Sequence, residues 1–358
     1  MPPPAETHRT ATAPRMVFLD LLRIFAFVSV LLGHKFATPV AALASDATAS
    51  GLARSFAAAL LALIHGGGVG VVVFFLVSGY VITHVLQREQ ALEFAIKRVF
   101  RIYPLYMTAV LIEYGVLSFL DKQPDPAELL PHLLLIGDLF ATPYALHGVE
   151  WTLRVEVVFY AFMGIGRWAQ GRAGRHWPQA WGWRPWLWLG VLLCAGLAPI
   201  PAGDVWSRGY LTLYAPCLLL GAMWQLRATQ RVTWAELLLF HGVVLGLHVL
   251  QLMRYQPQWL GAALVPLALG VFLLLWWPRT QLPQSRWIRH VSDLTFAVYV
   301  FHNWMFEVAG MVLAHAGLAV APAKLQALLL LLLFCWAMGR LVEQPGIRLG
   351  QALARRFG

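Results

Sequence analysis

Apolar runs about 20 residues long recur from near the start of the chain to near its end. That is the length a helix needs to cross the roughly 30 Å hydrocarbon core of a bilayer. Ten such runs are read, at roughly 17–37, 57–86, 102–120, 148–166, 186–201, 207–226, 233–253, 259–277, 290–315 and 322–342. In lipid the backbone polar groups must be satisfied within the segment itself, so runs of this kind fold as helices. With 59% hydrophobic and only 12% charged residues, the chain is expected to be an all-α integral membrane protein, a bundle of about ten transmembrane helices. Two stretches depart from the pattern. The second run is longer than a bilayer needs, and Gly66-Gly67-Gly68 within it mark a bend or a re-entrant piece. Leu129–Phe140 is too short to cross and holds Pro131, His132 and Asp138, so it is expected to lie along the interface as a helix.

The net charge of +10 raises nucleic acid as a partner, and the distribution of charge removes it. An even number of spans puts both ends on one side. Of the 27 Lys and Arg, nineteen fall on that side and six on the other, while Arg23 and Arg154 lie within runs. The positive-inside rule then makes both termini cytoplasmic. Residues 1–15, rich in Pro, Thr and Ala, are expected to be a disordered cytoplasmic tail, 16–345 the transmembrane domain, and 346–358 a basic cytoplasmic tail. Arg9, Arg15, the first run and Ala42-Leu43-Ala44 imitate a cleaved leader, but Asp20 and Arg23 interrupt that run, which is read as a retained first helix. Cys194, Cys217 and Cys335 lie in apolar runs with no C-x-x-C spacing, which supports neither a disulfide framework nor a metal site.

The first run carries Asp20, Arg23 and His34 where ionisable groups are costly and usually functional. An offset of eleven on a helix is about 1100°, three turns plus roughly 20°, so Arg23 and His34 share one face about 16 Å apart along the axis. The guanidinium then lies nearer the cytoplasm. The imidazole lies in the outer half, where a neutral ring can take a proton from a hydroxyl. Glu150 and Arg154 stand at i,i+4, either as an ion pair that neutralises Arg154, or with Glu150 or the deeper Glu156 free to orient His34. Lys97, Arg98 and Arg101 precede the third run, as a topology anchor on anionic lipid or as a clasp for the phosphates of a soluble donor. Gly66–Gly70 and Ser78-Gly79-Tyr80 suit close helix packing, or a slot for a thin flexible ligand. A cationic mouth, an intramembrane arginine and a histidine beyond it suit a donor arriving from the cytoplasm and a hydroxyl acceptor activated by His34.

These segments together resemble the acyltransferase-3 family of integral membrane O-acyltransferases. LDLLRIFAFVSVLLGH is similar to the family's first-helix signature, an Arg and a His with ten residues between, here Arg23 and His34. GVGVVVFFLVSGYVIT resembles its Gly-Val to Ser-Gly-Phe segment, with Tyr80 where the family usually has Phe. RVFRIYPLY resembles its Arg-x-x-Arg-Ile-x-Pro run, on Arg98, Arg101 and Pro104. WTLRVEVVFY, LTFAVYVFHNW and VEQP are similar to later segments, and the likeness covers nearly the whole chain after the tail. The resemblance implies a ten-helix core that moves an acyl group, commonly acetyl, from cytoplasmic acyl-CoA (acetyl-CoA) to a sugar hydroxyl of a glycan, with no metal. It implies catalytic roles for His34, as base or acyl relay, and for Glu156 and Arg23. Donor contacts would come from Lys97, Arg98, Arg101, Ser78 and Tyr80, and acceptor contacts from Trp151, Glu150 and His302. The compact form is similar to members that act in bacterial exopolysaccharide pathways. That implies a multi-pass protein of the bacterial inner membrane whose partners are a carbohydrate or lipid-linked glycan, membrane lipid and proteins of polysaccharide synthesis.

Two rival classes remain from the residues alone. A transporter or flippase of a lipid-linked sugar would use Arg23, Arg154 and Glu156 to hold a polar headgroup. A scaffold for a synthesis complex would perform no chemistry of its own. Loss of acetyl groups from an otherwise normal glycan separates the enzyme from the transporter, and turnover of acyl-CoA separates it from the scaffold.

Overall fold

The first run folds as one helix, α1 (Val17–Lys35), whose buried acid shows how the bundle accommodates charge. The computed structural model describes residues 15–120, 122, 124–137, 140, 142–173, 182–198, 205–318 and 322–357; all but Arg15 of the tail expected at 1–15, and Asp138, lie outside them. Asp20 is 2% exposed, accepts two hydrogen bonds from Arg15 (2.7 and 2.9 Å) and one from Ser292 Oγ (2.7 Å), and has Arg23 at 3.5 Å. A carboxylate so deep persists only with such a set of donors.

After the short α2 (Ala37–Ser45), α3 (Gly51–Ile64) opens with Ser50 Oγ accepting from the Ala53 amide at 3.2 Å. Gly66 (φ 54°) and Gly67 (φ 71°) then hold left-handed backbone, which costs a residue with a Cβ about 1–2 kcal/mol. The chain bends there into α4 (Gly68–Val85), as the three glycines predict. The third run begins earlier than expected: α5 (Ala91–Phe119) starts behind a Gln90–Glu93 capping box, so Lys97, Arg98 and Arg101 are helical rather than flanking. α6 (Pro126–Leu133) is capped by Asp125. It forms the first part of the stretch expected along the interface and turns one face to the protein: the His132 ring is buried, the Tyr106 hydroxyl donates to the His132 carbonyl at 2.7 Å, and Leu130 is exposed.

The chain continues as α7 (Glu150–Ala173), α8 (Arg184–Leu197), α9 (Val205–Ala228), α10 (Trp234–Tyr255) and α11 (Leu264–Trp276). The ninth expected span is not one rod. It comprises α12 (Arg286–Asp293), α13 (Thr295–Phe301) and α14 (Trp304–His315), and it turns by 81° at His302–Asn303. α15 (Ala323–Met338) passes through a π-helical turn at Gly339–Glu343 into α16 (Gln344–Phe357). The basic C-terminal segment is therefore helical and lies along α5, with Gly346 and Gly350 closing on Pro104 and Phe100.

Among the described residues, six helical stretches are long and apolar enough to cross a membrane, or seven if the bent pair at 302–303 is one span. This is fewer than the ten runs read from the sequence. α7 carries Glu150, Arg154 and Glu156 within its first two turns, and α8 has only 14 residues. α4 forms the centre, packed against α9, α1, α11 and α7, with nearly every side chain from Val69 to Thr83 buried. Its contact with α9 is backbone to backbone: a Cβ added at Gly79 would stand 1.8 Å from the Leu218 carbonyl, and one at Gly221 2.0 Å from the Leu76 carbonyl. Small residues at such crossings are how helices pack where lipid supplies no hydrophobic drive.

Candidate functional site

One stripe of α1 lines two cavities. Arg23, Ala26, Phe27 and Val30 face the first, and Val30 and His34 the second. The spacings of three, four and seven residues are those of one helical face. Arg23 and His34 thus share a side, as their offset predicts, but they open into separate chambers whose common wall includes Val30 and Tyr299.

The first chamber is also lined by Ser78, Arg98, Arg101, Glu156 and Tyr160. Glu156, 4% exposed, accepts on Oε1 from Ser78 Oγ at 2.6 Å and from the Tyr160 hydroxyl at 2.5 Å. These bonds fix the carboxylate beneath three guanidinium groups. Arg101 is held by Glu343 at 3.0 Å, and Arg23 lies 3.5 Å from Asp20. Arg98 stacks over Phe94 at 5.5 Å, and its buried Nε has no hydrogen-bond partner. Three planar cationic groups at the wall of one chamber suit a phosphorylated ligand, because guanidinium pairs with phosphate in a bidentate way.

The second chamber is lined by His34, His302, Trp151, Tyr210, Tyr214, Gln256, Trp259 and Asn303. The His34 and His302 rings are 5.2 Å apart, and His302 Nδ1 lies 2.7 Å from the Tyr299 carbonyl. Trp151 stacks on Tyr210 at 4.3 Å and Tyr210 on Tyr214 at 5.8 Å, making an aromatic panel across from the imidazoles. The break at His302–Asn303 borders this chamber, which is where non-helical backbone at membrane depth can survive. Asn303 Nδ2 also donates to the His147 carbonyl at 2.8 Å, tying the broken helix to the segment before α7.

The remaining candidates fall elsewhere. Glu150 is fully buried and lines neither chamber: it accepts from Arg154 and from His132 Nδ1, each at 2.9 Å, and from the Ala145 amide at 2.7 Å. No carboxylate of α7 orients His34, since Glu150 is committed to His132 and Arg154, and Glu156 to the first chamber. Lys97 pairs with Glu93 (2.6 Å) and Glu89 (2.9 Å) and lines neither chamber. Tyr80 packs among Phe18 (5.3 Å) and Phe272 (6.4 Å), also outside both. Tyr299 was legible beside His302 in the ninth run, whereas Tyr160, Tyr210, Gln256, Trp259 and Asn303 were not read as site residues. One of these carried a local signal, Tyr160 one turn after Glu156. The others come from segments far apart in the chain.

No curated protein and no solved structure matches the chain. A family model described as an acyltransferase domain matches residues 16–340, which takes in both chambers. The protein, with its two chambers on one face of α1, is a member of the acyltransferase-3 family of membrane acyltransferases.

Proposed function

We propose that the protein moves an acyl group, acetyl by preference, from acyl-CoA to a hydroxyl of a carbohydrate, with the donor in the arginine chamber and the acceptor in the histidine chamber. The observation that carries this reading is the single α1 stripe that joins a cationic chamber to an imidazole chamber through a shared wall. Arg23, Arg98 and Arg101 hold the donor's phosphates, and Ser78 and Tyr160 keep Glu156 from drifting toward them. The pantetheine arm points the thioester at the wall formed by Val30 and Tyr299. On the far side the panel of Trp151, Tyr210 and Tyr214 offers flat apolar faces to a sugar ring, and Asn303 and Gln256 offer amides to its hydroxyls.

His34 takes the proton of the acceptor hydroxyl as its oxygen attacks the thioester carbonyl. The new C–O bond forms, the C–S bond breaks, and the departing thiolate receives the proton from His34. In this reading the helices cross ten times, α7, α8 and α9 adding to the long apolar spans. Both ends and the arginine chamber then face the cytoplasm of a bacterium, and the histidine chamber faces outward to an exopolysaccharide or lipid-linked glycan. Proteins of polysaccharide synthesis are the expected neighbours.

The test is transfer of label from acetyl-CoA to candidate glycans by purified protein in lipid nanodiscs. His34→Ala is expected to cost about 10²–10⁴-fold in rate while leaving expression and the elution profile unchanged. Full activity in that variant removes His34 from the chemistry. Absence of transfer from any acyl-CoA by the wild type removes the donor assignment.

A further inference from the structure

His302 carries a buried nitrogen with no partner. Its Nδ1 lies 2.7 Å from the Tyr299 carbonyl, and a carbonyl only accepts, so Nδ1 bears the ring's hydrogen. In the neutral ring Nε2 is then a bare lone pair. That atom is buried, has no hydrogen-bond partner, and belongs to a residue only 1% exposed. Buried polar atoms are satisfied in the great majority of cases, so an orphan beside a reactive group calls for a chemical reason. The neighbouring ring is His34, with centroids 5.2 Å apart and planes tilted by 54°. At that separation a rotation of the His34 ring, with His302 held on its carbonyl, brings two nitrogens to hydrogen-bond distance, about 2.7–3.2 Å.

We infer that His302 is a positioning residue for His34: its bare Nε2 accepts the hydrogen of one His34 nitrogen and so leaves the other His34 nitrogen unprotonated, facing the acceptor hydroxyl. This inference rests on His34 being the base of the proposed transfer. Three features support it. The tautomer of His302 is locked from behind by a backbone carbonyl that cannot donate. The carboxylates of α7 that would otherwise orient His34 are both committed elsewhere. The helix breaks at His302–Asn303, bringing His302 to the rim of the chamber that His34 lines.

The proton balance is complete without His302 changing charge. The acceptor hydroxyl gives its proton to the open nitrogen of His34, the C–O bond forms as the C–S bond breaks, and the imidazolium returns that proton to the thiolate. Throughout, the second His34 nitrogen keeps its hydrogen on His302 Nε2, and His302 keeps its own on the Tyr299 carbonyl. An imidazole thereby takes the part that a carboxylate plays in other histidine-based sites.

The experiment pairs kinetics with a spectrum. His302→Phe keeps a ring of similar bulk and removes the acceptor, and His302→Gln restores an acceptor oxygen. His302→Phe is expected to lower kcat by about 10²-fold with KM for donor and acceptor each within threefold of wild type. His302→Gln is expected to recover part of that loss. In a His34→Ala background His302→Phe is expected to change nothing further, because residues that act as one unit are non-additive. Selective ¹⁵N labelling of histidine, with His34→Gln used to assign the signal, should give one His34 tautomer in the resting wild type and a mixture in His302→Phe. The inference is overturned by wild-type kcat in His302→Phe, or by the same fold-loss with and without His34. If His302→Phe does not fold, His302→Gln and the wild-type spectrum decide, and two His34 tautomers in the wild type overturn it. Should the wild type transfer no acyl group at all, the assigned function fails while the spectrum still judges the imidazole pair.

Discussion

The substitution Gly79→Ala sets two effects of opposite sign against each other. Alanine is better than glycine inside a helix by about 0.8–1.0 kcal/mol, so propensity alone predicts a more stable protein. The structure predicts the reverse. A Cβ at Gly79 would stand 1.8 Å from the Leu218 carbonyl oxygen, where contacts under 3.0 Å essentially never occur, and the obstacle is backbone. Relief requires α4 and α9 to part by about 1.2 Å at the tightest interface of the bundle. Overpacking costs about 1–3 kcal/mol, and an obstacle made of backbone puts this site at the upper end; after the propensity gain is subtracted, about 2 kcal/mol of net loss is expected, roughly a 30-fold shift toward the unfolded or rearranged state. Ser78 is the adjacent residue and holds Glu156 at 2.6 Å, so the displacement also loosens the floor of the arginine chamber. The assay is thermal unfolding in detergent followed by intrinsic fluorescence, with acyl transfer measured on the surviving fraction. The matched control is Gly242→Ala on α10, where an added Cβ meets nothing within 4 Å and propensity should prevail. Gly79→Ala is expected to melt lower than wild type, and Gly242→Ala at the same temperature or higher. Equal melting of the two variants would refute the backbone contact between α4 and α9.

Two further outcomes follow from charges inside the bundle. Arg154→Ala strips the fully buried Glu150 of its guanidinium partner and is expected to destabilise the protein by about 3–5 kcal/mol, while Glu150→Gln/Arg154→Met together should recover much of the loss; denaturant titration distinguishes them. Arg101→Ala should raise KM for acyl-CoA more than for the glycan acceptor, as read from initial rates with each substrate varied in turn.

What could be read in advance was what repeats locally. The eleven-residue offset that sets Arg23 and His34 on one stripe needs only helix geometry, and three consecutive glycines announce the turn before α4. The Glu150–Arg154 pair was equally visible at i,i+4. Lys97 at four residues from Glu93 was visible too, and of the three cations read as a lipid anchor or a phosphate clasp only Arg98 and Arg101 line the chamber. What stayed hidden depends on distant partners. Nothing in Phe301-His302-Asn303-Trp304 is a helix breaker in the sense of proline or glycine, and the chain breaks there against groups 150 residues away, such as the His147 carbonyl. His132 takes Glu150 out of contention for His34 across a connection whose course no periodicity reveals. The π-helical turn into α16 likewise leaves no mark in composition.

Tyr299 stands in the wall that the two chambers share. Its ring lies flat on Phe74, 5.7 Å away and 6° from parallel, and its hydroxyl meets Thr152 of α7. One phenol is thereby held at both ends while lining both cavities. In the proposed transfer that ring must turn aside for the thioester to meet the acceptor hydroxyl, because the acyl group stays on sulfur until the hydroxyl attacks. If the proposed transfer holds, the width of a single aromatic side chain decides when the two substrates meet.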